Sequence, residues 1–212
     1  MLYKQKGNFQ KVVRWVGGKW MTANQATLGG IFFICVTAVS FYFGLTVENS
    51  RWLLLLVPAG LLLRMVMNTL DGMLSREYGT ATVAGELFNE ALDVIGDTVC
   101  YGALLFVPDA PYAVITLLLV LIWMAEFFGV LGKSFPGGIR RHETFLGGKP
   151  DRAIWMSVLA LILFFQPGFF RHIGYYLLVM SFFVFLTSAI RVKKILDGAK
   201  GKKYESYTWI GK

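Results

Sequence analysis

The chain has 212 residues, of which 56% are hydrophobic and only 16% charged, with a formal net charge of +8. A soluble domain carries charge on about a quarter of its residues, so this composition excludes an ordinary water-soluble globule and points to a membrane protein. The positive charge gathers in three segments and reads as a topology signal, so nucleic-acid binding is not needed to explain it.

Lys4, Lys6, Lys11, Arg14 and Lys19 are spread over residues 1–20 with no small-residue cleavage site after a short apolar core, so no cleavable signal is expected. Phe9, Val12, Val13, Val16 and Trp20 recur at helical spacing opposite these basic residues. That pattern predicts an amphipathic helix on the membrane surface; the alternative is an unstructured basic tail. Apolar stretches at 21–47, 51–76, 83–107, 110–125, 153–170 and 173–190 then predict six transmembrane helices, the second and third interrupted by ionisable residues. The expected fold is all-α and polytopic, a single membrane domain over 1–212. It comprises an interfacial helix at 1–20, a six-helix bundle at 21–190 and a cytoplasmic tail at 191–212. Cys35 and Cys100 fall inside spans and read as small apolar fillers.

Lysine and arginine set the orientation. Five lie in the N-terminal segment, five in the loop carrying Lys133, Arg140, Arg141, Lys149 and Arg152, and seven after Ile190, against Arg51 and Arg171 on the other side. Both termini and the long loop are therefore expected on the cytoplasmic face.

Ionisable groups within spans are costly and are functional candidates by default. Here they concentrate in the second and third spans. At about 100° per residue, Arg64, Asn68, Asp71, Gly72, Ser75 and Arg76 share one side of the second helix, and Glu86, Asn89, Glu90, Asp93 and Asp97 fall on one arc of the third. Antiparallel packing through a tight turn would bring the two faces together. Carboxylate and amide oxygens suit a hard divalent cation such as Mg²⁺ or Mn²⁺ that also binds phosphate. Gly72, Ser75 and Gly85 would let a nucleotide diphosphate lie against the backbone. The competing reading is a polar seam between helices, for which small residues also serve.

Depth along the helices predicts one further contact. If Arg76 and Gly85 lie level near the cytoplasmic surface, Arg64 and Asp97 each sit twelve positions deeper, about 18 Å at about 1.5 Å per residue. A charge there needs a partner, so an Arg64–Asp97 ion pair is expected; Arg64 reaching Asp93 or a donor phosphate is the alternative.

The spacing Asn68-x₂-Asp71-Gly72-x₂-Ser75-Arg76-x₈-Gly85-x₃-Asn89-x₃-Asp93 resembles the signature of the CDP-alcohol phosphotransferase family, D-x₂-D-G-x₂-A-R-x₈-G-x₃-D-x₃-D. Thr22-Ala23-Asn24-x₂-Thr27 is similar to the segment that opens the family's first span. The resemblance implies a bacterial inner-membrane enzyme, homodimeric as is common in the family, that moves a substituted phosphoryl group from a CDP-linked donor to an alcohol and releases CMP. It implies one or two divalent ions at the motif, with Asp71, Asp93 and the amides of Asn68 and Asn89 as ligands and Asp93 also as the general base on the acceptor hydroxyl. Gly72, Ser75, Arg76 and Gly85 would belong with Asp71 to the CDP site. The chain departs from the pattern where the first and third aspartates are Asn68 and Asn89, which places it in an Asn-substituted branch. Amide oxygens still ligate but bring no charge, so Glu86 or Glu90 is a candidate replacement carboxylate beside Asp93.

Glu126 is level with the active site or is a structural cap or partner of Lys133. Lys149 and Arg152, which enter the fifth span, contact the acceptor or its phosphate by resemblance, or anchor the cytoplasmic end. His142 reads as a loop histidine. CDP-diacylglycerol is the leading donor, with a small polar acceptor such as glycerol phosphate, an inositol or serine. The alternatives are a CDP-linked head group transferred to a lipid alcohol and a catalytically silent protein that binds nucleotide-activated lipid. A transporter would leave the glycines and arginine of the motif without a role.

Overall fold

In the computed structural model, residues 21–135 and 146–200 are described. The expected surface helix at 1–20, His142 with its neighbouring arginines, and the end of the tail lie outside them.

The described residues form six long α-helices and no strand. Helix α1, Ala23–Thr46, starts at a capping box: Thr22 Oγ1 accepts from Gln25 N at 3.3 Å while Thr22 N donates to Gln25 Oε1 at 2.8 Å. A 3₁₀ turn at Arg51–Leu55 leads into α2, Leu56–Glu77. The turn to α3, Val83–Gly102, contains Gly79 at φ 66°, a left-handed conformation that an L side chain adopts only with strain. Thr82 caps α3, accepting from Gly85 N at 3.0 Å. Helix α4 is Tyr112–Leu131, α5 is Lys149–Phe165 and α6 is Ile173–Ala199.

Four segments are long and apolar enough to cross a bilayer by length and composition: Ala23–Thr46, Arg51–Glu77, Tyr112–Leu131 and Pro167–Ala199. The other two helices fall short of the six expected spans for identifiable reasons. Helix α3 carries Glu86, Glu90, Asp93 and Asp97, and α5 has only 17 residues, beginning with Lys149 and Arg152. At their polar ends the helices outrun the charge-free stretches: α4 continues past Glu126, and α6 past Arg191, where a tail was expected.

Helix α1 packs along α2, α4 along α6, and α5 against α2, whereas α2 and α3, although consecutive, scarcely approach each other backbone to backbone. Helix α3 rests instead on α1 and α4. The interior holds Phe41, Leu61, Tyr101, Ile122, Met156 and Leu177, while Phe32, Leu62, Phe127 and Phe182 are exposed on the outside. In a bilayer these outward apolar side chains face lipid.

Several glycines are required by close approach, Gly30 and Gly96 among them. A Cβ on Gly30 would stand 2.9 Å from Asn68 Oδ1, and one on Gly96 would stand 2.6 Å from Arg64 Nη2 and 2.7 Å from Ile34 Cδ1. Arg64 cannot retreat, because its guanidinium is pinned by acceptors on α3. Gly96→Ala is therefore expected to destabilise the bundle by about 1–3 kcal/mol through overpacking, read as a lowered unfolding midpoint in detergent.

Candidate active site

Helices α2 and α3 leave a polar cleft between them that long side chains bridge. Deepest is Arg64, whose Nη1 donates to Asp97 Oδ1 at 2.7 Å and whose Nη2 donates to the Asp93 carbonyl at 3.0 Å. The structure thus brings Arg64 to both residues considered for it: the carboxylate of Asp97 and the backbone of Asp93. Arg64 Nε has no hydrogen-bond partner among the described residues.

Asp97 is shared. Arg152, from the first turn of α5, donates to Asp97 Oδ2 through Nη2 at 2.8 Å and through Nε at 3.1 Å, and Nη2 also reaches Glu126 Oε1 at 2.9 Å. Arg191 of α6 lies 3.7 Å from the same Glu126 oxygen and donates to the Ala125 carbonyl. Arg64, Asp97, Arg152, Glu126 and Arg191 therefore form one buried chain of alternating charge that ties five helices together. Alternation is what makes such burial tolerable, since each ion finds opposite charge and hydrogen bonds in place of water.

Arg152, expected to contact the acceptor or its phosphate or to anchor the cytoplasmic end, is fully buried in this chain of ion pairs. Glu126 pairs with Arg152 rather than with Lys133. Sequence reasoning assigned Arg191 to the tail; the signal was the buried polar run Thr187, Ser188 and Arg191 at one-turn spacing on α6.

Nearer the cleft mouth, Asp93 is mostly buried and receives two donors on Oδ1: Asn68 Nδ2 at 2.8 Å and the ammonium of Lys149. Asp71 is half-buried beside Thr27 and has no ion pair among the described residues. Gly72 and Ser75 are half-buried on the same helix, with Ser75 Oγ donating to the Gly72 carbonyl at 3.4 Å, while Arg76 and Gly85 are exposed. Unlike Gly30 and Gly96, neither motif glycine is explained by a neighbouring helix among the described residues. Of these residues, a Cβ on Gly72 would meet only the tip of Arg76 at 3.4 Å, and one on Gly85 only its own cap hydroxyl on Thr82 at 3.2 Å. Among the described residues, helix packing does not account for the small side chains here, which lie near the Asp71 carboxylate and Arg76 on α2.

Asn89 is half-buried on α3. Glu86 and Glu90 are drawn away from Asp93 to Lys133, at 3.2 and 3.1 Å. The replacement carboxylate expected from Glu86 is thus engaged elsewhere, because α3 leans on α4 and its first acidic turn faces the lysine at the end of that helix. Burial opposes the charge on Lys133, but the two carboxylates outweigh it and hold the ammonium above its ordinary pKa. That stabilisation is complete at neutral pH and is lost only as pH rises past the usual lysine range. The contacts are largely exposed, so Lys133→Ala is expected to change the unfolding free energy by less than about 1 kcal/mol.

The donor set tests the fit of a divalent cation. Its oxygens are hard and suit Mg²⁺ or Mn²⁺. Among the described residues, however, no three His, Cys, Asp or Glu side chains converge, and Asp93 is faced by an ammonium and an N–H, groups that cannot ligate a metal. The Asp93 side as arranged does not fit a cation, and Asp71 offers a single carboxylate with no ion pair among the described residues.

Comparison with known proteins bears on the same residues. The family model for CDP-alcohol phosphatidyltransferases matches residues 20–193, which include the cleft and all of its ion pairs. The chain is 30% identical over 199 residues to inner membrane protein YnbA of Escherichia coli K12, covering 92% of this chain and 96% of that protein. It is also 30% identical over 82 residues to choline/ethanolaminephosphotransferase 1 of Saccharomyces cerevisiae, covering 37% of this chain and 21% of the yeast protein.

Proposed function

The chain belongs to the CDP-alcohol phosphatidyltransferase family, and on that premise we propose that it transfers a phosphatidyl group from CDP-diacylglycerol to a small polar alcohol, releasing CMP. The observation that carries the site assignment is the open space over Gly72 and Gly85 beside Asp71 and Arg76. Gly72, Ser75, Gly85 and Arg76 receive the CDP moiety: the small residues admit the diphosphate to the helix surface, and the guanidinium opposes its charge. Asp71, helped by the amide oxygens of Asn68 and Asn89, would hold a divalent cation, Mg²⁺ or Mn²⁺, as used generally in this family; when bound it supplies positive charge to the diphosphate.

The acceptor oxygen attacks the phosphorus that carries the diacylglycerol, in line with the bridging oxygen, which departs with CMP. The acceptor proton passes to Asp93, whose carboxylate is held in place by Lys149 and Asn68. Arg64 and Arg152 act behind this step: by fixing Asp97 and the Asp93 backbone they set the depth and direction of the base.

In this reading α3 and α5 also span the bilayer, giving six spans in one membrane domain, with the cleft and both termini on the cytoplasmic side of a bacterial inner membrane. The protein works as a homodimer and belongs to an Asn-substituted branch of the family. A second reading, in which a CDP-linked head group is transferred to a lipid alcohol, is favoured by the similarity to the yeast choline/ethanolaminephosphotransferase. The two are separated by giving purified protein CDP-diacylglycerol with water-soluble alcohols, or CDP-choline and CDP-ethanolamine with diacylglycerol. Turnover with the first set is expected; turnover confined to the second would establish the other reading.

A further inference from the structure

Lys149 is the first residue of α5 and is firmly placed. Gly148 N donates to Asp151 Oδ2 at 3.0 Å, closing the N-terminal cap around it, and Arg152 one turn further is locked between Asp97 and Glu126. From that position its ammonium meets Asp93 Oδ1, the same oxygen that accepts from Asn68 Nδ2. The last carboxylate of the motif is therefore met by a cation from another helix and by an amide N–H at the position where the family signature has an aspartate.

The surrounding charge points the same way. Among the described residues, ion pairs link Lys149, Arg64, Arg152 and Arg191 to Asp93, Asp97 and Glu126. A divalent ion at Asp93 would bring two charges beside the Lys149 ammonium, where like charges a few ångströms apart repel strongly. Aspartate at position 68 would have added a compensating charge, but asparagine does not. Asp71 is different, with no ion pair among the described residues.

We propose that Lys149 supplies at Asp93, from within the chain, the positive charge that a second divalent cation would otherwise bring, so that the site takes one divalent cation, at Asp71. This rests on the reading of the cleft as a CDP-alcohol site. It makes the charge at the base a fixed part of the protein, independent of metal supply.

The test counts Mn²⁺ bound by the full-length protein in detergent, by titration calorimetry and electron paramagnetic resonance, with CMP binding measured in parallel. The parent should bind one ion per chain. Asn89→Asp should still bind one, because Lys149 remains, whereas Lys149→Met combined with Asn89→Asp should bind two, the second site tightened about tenfold or more. Lys149→Arg with Asn89→Asp should return the count to one. Two ions of similar affinity in the parent, or in Asn89→Asp alone, would overturn the proposal, as would a single ion in a folded Lys149→Met, Asn89→Asp protein. If that double variant does not fold, the parent and Asn89→Asp still decide. Two ions with CMP binding intact would remove only this inference; absence of both Mn²⁺ and CMP binding from every form would remove the site reading with it.

Discussion

Asp93→Asn is expected to keep cation-dependent CMP binding and to slow CMP release by about 10²–10⁴-fold, the range lost when a positioned general base is removed. The substitution is nearly isosteric, and Asp93 is buried at the level of Asn68, where Lys149 and Asn68 hold its carboxylate and Arg64 holds its backbone. It can therefore be made without moving the CDP subsite around Gly72 and Arg76. Asp71→Ala should do the opposite, losing cation-dependent nucleotide binding at the outset, because Asp71 is the motif carboxylate not already committed to an ion pair among the described residues. Calorimetry with CMP and steady-state CMP release separate the two effects. An Asp93→Asn protein that turned over at the parental rate would place the base elsewhere.

Loss of Asp97 should be the most damaging single change to stability. Two arginines converge on its two oxygens inside the bundle, and Asp97→Leu takes that carboxylate from both. Arg152 would retain Glu126 at 2.9 Å, but Arg64 would be left without a carboxylate, holding the Asp93 carbonyl and a long contact to Cys100 Sγ at 4.0 Å. Breaking a buried pair by removing one partner costs about 3–5 kcal/mol, mainly because the remaining charge is uncompensated. Arg64→Leu should cost less, about 1–3 kcal/mol, since Asp97 keeps Arg152. With both changes the losses should fall short of additive by about 1–3 kcal/mol, measured as unfolding in detergent. Strict additivity would show that the Arg64–Asp97 contact carries no energy of its own.

How much of this was legible depends on the kind of contact. Arg64 and Asp97 could be paired by counting residues from a shared turn, because helical rise converts sequence distance into depth and a buried charge demands a partner. Arg152 could not be assigned as the second partner, since Lys149-Pro150-Asp151-Arg152 looks like a charged loop. Only the start of α5 at Lys149 turns Arg152 inward by one helical turn. Glu126 was ambiguous for the same reason: its partners lie on α5 and α6, and nothing in the local spacing names them. The angular argument that put Glu86 on the face of Asp93 holds for an isolated helix, but α3 lies against α4 and apart from α2, so the first acidic turn meets Lys133. The helices themselves were readable from apolar stretches. Their polar ends were not, because polar residues begin there while the helix continues.

The measurement that tests the account most directly is CMP formation by purified protein supplied with CDP-diacylglycerol, Mg²⁺ or Mn²⁺ and a panel of alcohols, run beside Asp71→Ala. The account predicts CMP released in step with a new phospholipid for at least one alcohol, and none from Asp71→Ala. A folded, CMP-binding parent that released no CMP with any acceptor, from this donor or from CDP-linked head groups, would contradict it and leave the cleft as a nucleotide-binding site without turnover.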